Sequence, residues 1–381
     1  MVAKTISGLE EVLARELTEL GAIDVEVLKR AVSFKGDQGF LYKANLWCRT
    51  ALRILKPITT FEAEDNESLY EGIKNIHWED FITPENTLAV DAVVSDSFFR
   101  HSQFVAQKTK DAIVDRFRDR TGKRPSVNLD HPDLKVNIRI HKNECTVSLD
   151  SSGQSLHKRG YRLNAVEAPL SEVLAAGLIL LSGWDKRSNF IDAMCGSGTI
   201  LIEAALIAFN IPPGYYRKEF GFEKWKDFDQ DLWEMIYNAS LTKQTEFEHR
   251  IIGSDISPRN LKIAMENVRF AKFHKDIELE EMPFERSRAP EGRGTLIINP
   301  PYGERLQEDD IITFYKSIGD TLKSNYQNFS AWIISSDLQA LKFIGLKPTR
   351  NIHIFNGPLE CKFCKFEIYA GSKKGKYMDL K

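Results

Sequence analysis

Excess positive charge is missing from this chain. Its 381 residues hold 52 lysines and arginines against 54 aspartates and glutamates, a formal net charge of −2. A protein that coats polyanions with its whole surface is thereby excluded, and any nucleic-acid contact must be a local patch. Long apolar runs are missing too. The longest, Val173 to Leu181, is too short to cross a bilayer, so no membrane is expected. No secretion signal opens the chain. Leu9, Val12, Leu13, Leu17 and Leu20 instead recur at helical spacing between charged residues, which predicts an amphipathic helix. Cysteine is sparse: five scattered residues give no disulfide framework and point to a reducing cytoplasm. The one close pair, Cys361-Lys-Phe-Cys364, lies in a strand-like run with no second pair nearby. Packing, rather than a redox motif or half a metal site, is expected there, and no metal site is expected elsewhere.

Two strings carry chemistry. Asn299-Pro300-Pro301-Tyr302 ends the apolar run from Thr295, and Asp192-Ala-Met-Cys195-Gly196-Ser197-Gly198-Thr199 follows another short strand about a hundred residues earlier. Asn299 offers a side-chain carbonyl that can accept from an amino group. The prolines have no N–H to compete and fix the turn, so the Pro300 carbonyl can be a second acceptor. Tyr302 offers a face; base–aromatic stacking is worth about 1–3 kcal/mol. Two acceptors on one NH2 draw its hydrogens out of the ring plane and free the nitrogen lone pair for in-line attack. Such catalysis rests on alignment, which can supply about 7–11 kcal/mol, and needs neither a metal nor a strong base.

The earlier string reads acid-x-x-x-Gly-x-Gly, with Leu201 where a dinucleotide fingerprint has its third glycine. A carboxylate beside the loop repels phosphate and favours a cation, as in S-adenosylmethionine. Gly196 and Gly198 let the backbone approach a ligand, and Thr199 is expected to cap the next helix. Asp255, ending the apolar strand from Ile251, is placed to take ribose hydroxyls. The long gap between the two acids is attributed to an insertion at about 211–249, expected to be a surface excursion; a lid or substrate surface is the alternative.

Around these strings the order of elements changes. Up to about 155 the pattern mixes strands and helices. A strand is expected at 24–28, a turn at Gly36-Asp37, a strand at 87–94, a helix at 104–117, and a hairpin of 134–140 with 144–149 around Lys142-Asn143. A boundary is set at Ser151-Ser152-Gly153 and the basic string from Leu156 to Arg162. Downstream, helices near 170–182, 199–209, 258–271 and 311–323 alternate with strands ending at Ile191, Asp255, Ile298 and Ser335. That alternation predicts a mostly parallel, doubly wound α/β sheet. A final antiparallel hairpin of 352–355 with 361–369 makes the sheet mixed.

Four strings, Asn299-Pro-Pro-Tyr-Gly-Glu-Arg-Leu306, Asp192 to Thr199, Leu156-His-Lys-Arg-Gly-Tyr-Arg162 and Lys110-Asp-Ala-Ile-Val-Asp-Arg-Phe117, together resemble the THUMP-domain RNA methyltransferases of class I. The nearest group is that of the bacterial 23S rRNA guanine-N2 methyltransferases of the RlmL/YpsC type, which older naming often calls N6-adenine-specific DNA methylases. The resemblance covers nearly the whole chain. It implies a Rossmann-like methyltransferase domain at 169–373 behind an α+β half. That half would comprise a ferredoxin-like segment at 1–60 and a THUMP RNA-binding domain at 61–155, followed by a basic linker at 156–168; residues 374–381 would be a tail. It implies S-adenosylmethionine as cofactor and methylation of guanine N2 in RNA, 23S rRNA first, with no obligate protein partner. Carried over by position, Asp192, Cys195, Gly196, Gly198 and Thr199 line the donor site, Asp255 and its neighbour Ile256 hold the ribose end, and Asn299, Pro300, Pro301 and Tyr302 hold the base.

Two departures stand out. The acid that relatives place against the donor's adenine falls here on Met282 or Pro283, so Glu281 or a backbone carbonyl is the expected substitute. Some relatives also carry a second methyltransferase domain, so a single methylation is expected here. Lys108, Lys110, Arg116, Lys158, Arg159 and Arg162 are the expected phosphate contacts, with the base flipped out or unpaired. Competing readings are a tRNA guanine-N2 enzyme, an adenine-N6 enzyme on DNA or RNA, and a non-catalytic RNA-binding assembly factor.

Overall fold

Alternating burial along the first third of the chain builds one antiparallel-rich sheet rather than two small ones. The structure, a computed structural model, describes residues 1–164, 170–301 and 308–369. Tyr302, the Gly303–Leu306 extension, the end of the expected linker and the 374–381 tail therefore lie outside the described residues. Chain order gives β1 (Val2–Lys4), α1 (Glu10–Leu20), β2 (Ile23–Leu28), β3 (Ala31–Lys35), α2 (Gln38–Trp47) and β4 (Arg53–Glu62). Then come α3 (Asn66–Lys74), β5 (Thr87–Ser95), α4 (Ser102–Thr121), β6 (Ser126–Val127), β7 (Leu134–His141) and β8 (Glu144–Asp150). The eight strands form one sheet in the order β2-β3-β1-β4-β8-β7-β5-β6.

The seam is β4. Its residues Arg53–Leu55 pair with β1, and Leu55–Glu62 pair with β8. The division expected at 60/61 thus falls inside a strand that serves both halves. Pro57 hides this strand from the sequence. Proline cannot donate to the ladder, and the pairing with β8 shifts register between Pro57 and Thr59. The β7–β8 hairpin is present, its two-residue turn made by Lys142 and Asn143, both at positive φ (48° and 66°). That backbone twist suits a tight hairpin.

The second half runs α5 (Glu172–Ser182), β9 (Asn189–Asp192), α6 (Thr199–Ala208), α7 (Gln230–Leu241), β10 (Ile251–Asp255) and α8 (Pro258–Phe270). It closes with β11 (Ile277–Glu281), β12 (Gly294–Ile298), α9 (Glu308–Asn325), β13 (Phe329–Ser335), β14 (Arg350–Asn356) and β15 (Leu359–Glu367). Its sheet has the order β11-β10-β9-β12-β13-β15-β14. The first five strands are parallel and the β14–β15 hairpin is antiparallel. Short, wholly buried runs such as Asn-Phe-Ile-Asp in β9 and Gly-Thr-Leu-Ile-Ile in β12 are what a parallel sheet covered on both faces requires. Cys361 and Cys364 are buried in β15.

The chain divides into two compact units. The first contains residues 1–5, 13–158 and 217–239; the second contains 6–12, 159–216 and the chain from 240 onward. The expected surface excursion is therefore corrected in its middle part. Phe220, Phe222 and Trp225 are buried in the first unit's core, and the Phe222 ring stacks on Tyr42 at 4.3 Å. Burying each such ring contributes about 1.5–3 kcal/mol, more than a mobile surface loop could offset. Arg217 fixes the same segment. Its two terminal nitrogens donate to the carbonyls of Ser155, Lys158, Ser152 and Gln154 at 2.8–3.1 Å. The middle of what reads as a charged, aromatic insertion, residues 217–239, is a structural part of the first unit.

Candidate active site

In an open parallel sheet the ligand crevice lies beyond the carboxyl ends of the strands, where the strand order reverses. Here the chain builds outward from β9 to β10 and β11, then returns to place β12 on the other side of β9. The loop after β9 and the residues after β12 flank that switch point.

Strand register sets their heights. Gly253 of β10 is level with Asp192, so Asp255 stands two residues higher. Leu296 of β12 is level with Ile191, so Asn299 also stands two residues above Asp192. Asp255 and Asn299 therefore face each other across β9, two strand spacings apart or roughly 10 Å. The 193–198 loop rises between them. One strand further out, Glu281 is level with Asp255. Glu281, Asp255, the Asp192 loop and Asn299 thus form a row along one edge of the sheet.

The row is held from below. Gly196 N–H donates to Asp255 Oδ2 at 2.9 Å, and the Cys195 N–H donates to the Ser254 carbonyl at 2.9 Å. Ser257 N–H and the Asn260 side-chain amide donate to Asp255 Oδ1 at 2.9 and 3.3 Å. Gly196 and Gly198 have φ of +54° and +79°, the left-handed region where side chains are strained. Gly198, rather than the expected Thr199, is the N-cap of α6; Thr199 is the first helical residue. Asn299 is half-buried, Pro300 buried and Pro301 exposed. Ile256 is 70% exposed, an apolar surface beside the row. Cys195 is buried in the loop, which pushes its thiol far above the usual range and leaves it inert.

Asp192 and Asp255 are 1% and 7% exposed, and among the described residues neither forms an ion pair with a cation. Burial pushes the Asp192 carboxyl up to about 8; the Met194 N–H at 3.3 Å opposes this and the nearby Asp255 charge adds to it. Buried carboxylates without a cation of their own are a poor place for phosphate and a good one for a positively charged ligand.

The basic residues sort differently from their reading in sequence. Arg159 is 1% exposed and faces Glu203, itself 0% exposed, at 3.4 Å; the Tyr161 hydroxyl donates to the same carboxylate at 2.9 Å. Arg162 faces Glu172 at 3.3 Å and donates to the Leu170 carbonyl and to Thr199 Oγ1. Both are corrected from phosphate contacts to internal partners, because a carboxylate buried in the second unit needs a cation. Residues 159–164 of the expected linker are part of that unit. In α4, Lys110 pairs with Asp111, Arg118 with Asp115, and Arg116 and Arg120 with Glu79; Lys123 reaches Glu85. Surface pairs of this kind are worth about 0–1 kcal/mol and can exchange for phosphate, except that Arg116, 12% exposed, also donates to the Lys74 carbonyl. Lys108 lies 4.6 Å over the Tyr70 ring, and Lys158 is exposed and outside any ion pair among the described residues.

Sequence reasoning missed Asn260, Asn267, Glu172 and Glu203. A single asparagine or glutamate in a helix carries no local signature; only its partner reveals it. No helix among the described residues is long and apolar enough to cross a membrane.

A doubly wound sheet with a glycine-rich loop after its first strand and acids along its carboxyl edge defines the class I methyltransferase fold. Three family models match in order: an RlmL ferredoxin-like domain at 1–55, a THUMP domain at 63–150, and the RMKL-like methyltransferase domain at 159–365. The chain belongs to the RMKL-like family of S-adenosylmethionine-dependent RNA methyltransferases. A Synechocystis sp. protein named as an RNA methyltransferase is 40% identical over 369 residues, 96% of each chain. The ribosomal RNA large subunit methyltransferase K/L of Syntrophotalea carbinolica is 38% identical over 95% of this chain and 52% of its own length. The chain thus spans about half the length of the K/L relatives it matches. The solved structure of SMU.472 complexed with SAH superposes with a TM-score of 0.88 at 32% identity, covering 97% of this chain and 98% of that one.

Proposed function

We propose that this chain transfers a methyl group from S-adenosylmethionine to the exocyclic N2 amine of a guanine in RNA, 23S rRNA being the substrate, in the cytoplasm. The observation that carries the reading is the row Glu281–Asp255–Asp192 loop–Asn299 at the switch point.

The residues fit the cofactor. Asp192 and Asp255 are buried acids with no cation partner among the described residues, the loop after Asp192 bears two glycines, and Ile256 offers an exposed apolar face to a flat ring. Glu281 or the Met282 backbone would meet the adenine, Asp255 the ribose, and the 192–199 loop the amino-acid end. S-adenosylmethionine supplies an electrophilic methyl group on a sulfonium. Asn299 and the Pro300 carbonyl would accept hydrogen bonds from the guanine amine and orient its nitrogen toward the donor loop, with Tyr302 as the stacking face. Lys108, Lys110 and Lys158 would contact phosphate, as would Arg116 on giving up Glu79. The K/L relatives' names support rRNA, and the matched THUMP domain supports an RNA substrate.

Nucleoside mass spectrometry after incubation with rRNA, tRNA and DNA tests the assignment. N2-methylguanosine in 23S rRNA alone is expected. The same product in tRNA moves the substrate, N6-methyladenine moves the target amine, and no product in any arm leaves a binding factor.

Protonation of Asp192 gives an independent check. A folded value near 8 against about 3.9 in an unfolded chain means the folded state keeps a proton that the unfolded state has lost. Its stability contribution is full below about pH 4 and fades as pH rises toward 8. An ammonium beside Asp192 favours its ionised form; SAH carries one at its amino-acid end, so its binding at pH 7 is expected to release about one proton and at pH 9 far less. Titration calorimetry in buffers of different ionisation heat reads this directly. Equal heats at pH 7 in every buffer would show that the ligand does not meet Asp192.

A further inference from the structure

Helix α6 starts on a residue that cannot hold its own position. Gly198 is the N-cap, sits at φ +79° and brings no side chain to the cap. The donor loop therefore needs an outside hold on its last residues. Two side chains of the second unit supply one. Arg162 Nη2 donates to Thr199 Oγ1 at 2.9 Å and to the Leu170 carbonyl at 2.8 Å, while Nε faces Glu172 Oε1 at 3.3 Å. The Asn267 amide donates to the Ser197 and Asn164 carbonyls at 3.0 Å each, and its oxygen accepts from Leu163 N–H at 3.0 Å. The stretch 162–164 is thereby laced to both ends of the Ser197–Thr199 corner.

We propose that Arg162 is a positioning residue for the donor loop, acting through Thr199, and not a phosphate contact. This rests on the reading of 192–199 as the donor loop. A guanidinium is a rigid planar fork that can serve the Leu170 and Thr199 acceptors together while its charge faces Glu172; an ammonium on a flexible stem cannot hold that geometry. Thr199 is 5% exposed, and its hydroxyl meets Arg162 Nη2 at 2.9 Å and the Ser197 hydroxyl at 3.3 Å rather than solvent. Any shift of Arg162 moves the first turn of α6, and with it the glycines that a donor must approach.

The test compares the full chain with Arg162→Lys, Thr199→Val and the double variant. SAH affinity is measured by calorimetry, RNA affinity across a salt series, and folding by thermal denaturation. Each single change is expected to weaken SAH about tenfold, and the double no further than the worse single, because both cut one link. RNA affinity and its salt slope should match those of the unaltered chain. An SAH affinity within twofold of the parent in folded Arg162→Lys overturns the proposal, as do additive losses in the double variant. A salt slope smaller by about one also overturns it, since that marks a lost phosphate contact. Thr199→Val exchanges a hydroxyl for a methyl and keeps the comparison open should Arg162→Lys not fold. Failure of the unaltered chain to take up SAH overturns the functional reading with this one; donor binding without the coupling overturns this one alone.

Discussion

Asn299→Ala is expected to bind S-adenosylmethionine as the parent does and to lose kcat by roughly 100-fold or more, equivalent to about 2.7 kcal/mol of barrier. Asn299 stands level with Asp255 on the far side of β9, so its truncation leaves the cofactor row intact. It removes one of two acceptors that would hold the amine. The remaining acceptor, a backbone carbonyl, cannot by itself turn both hydrogens away from the donor. The loss belongs to alignment and should appear in kcat rather than KM. Single-turnover kinetics beside donor calorimetry separates the two. A rise in KM at unchanged kcat would mean that Asn299 only helps the base to dock, and the proposed chemistry at that position would fail.

Asp255→Ala should do the opposite. SAH affinity is expected to fall by about 10- to 100-fold, since hydrogen bonds to a charged group are worth about 1.5–3 kcal/mol. RNA affinity should change less than twofold. Asp255 also accepts from Gly196 N–H in the donor loop and from Ser257 N–H and the Asn260 amide at the start of α8, so its removal strands those donors as well. Both effects weaken donor binding. Calorimetry on folded Asp255→Ala showing parental SAH affinity would remove the ribose role.

Much of the second unit was legible because its elements are local. The buried runs of β9, β10 and β12, with an acid or amide at each end, announce a parallel sheet and put Asp192, Asp255 and Asn299 at one edge. The hairpin at Lys142-Asn143 was legible for a similar reason: two residues at positive φ between alternating strands leave few options. What escaped depends on partners distant in sequence. Arg159 and Arg162 look like any basic surface string until Glu203 and Glu172 are found beneath them. The β4 strand hides behind Pro57, and its double pairing joins two segments that read as separate. The stretch 217–239 is charged and aromatic, which suits a loop as well as a core; only the ring of Tyr42 against Phe222 decides it. Threonine is a common helix cap, which points to Thr199, whereas Gly198 takes that place by its φ.

The return of residues 217–239 to the first unit has a consequence for synthesis. A ribosome that has made the last strand of that unit's sheet, ending at Asp150, has not yet supplied Phe220, Phe222 or the Arg217 clamp. The nascent first unit must wait, with the Tyr42 ring uncovered, while the glycine loop and α6 are translated. Fragments cut near residue 158 would carry the same exposed aromatic patch. Completion of the first unit therefore depends on residues translated after the start of the second.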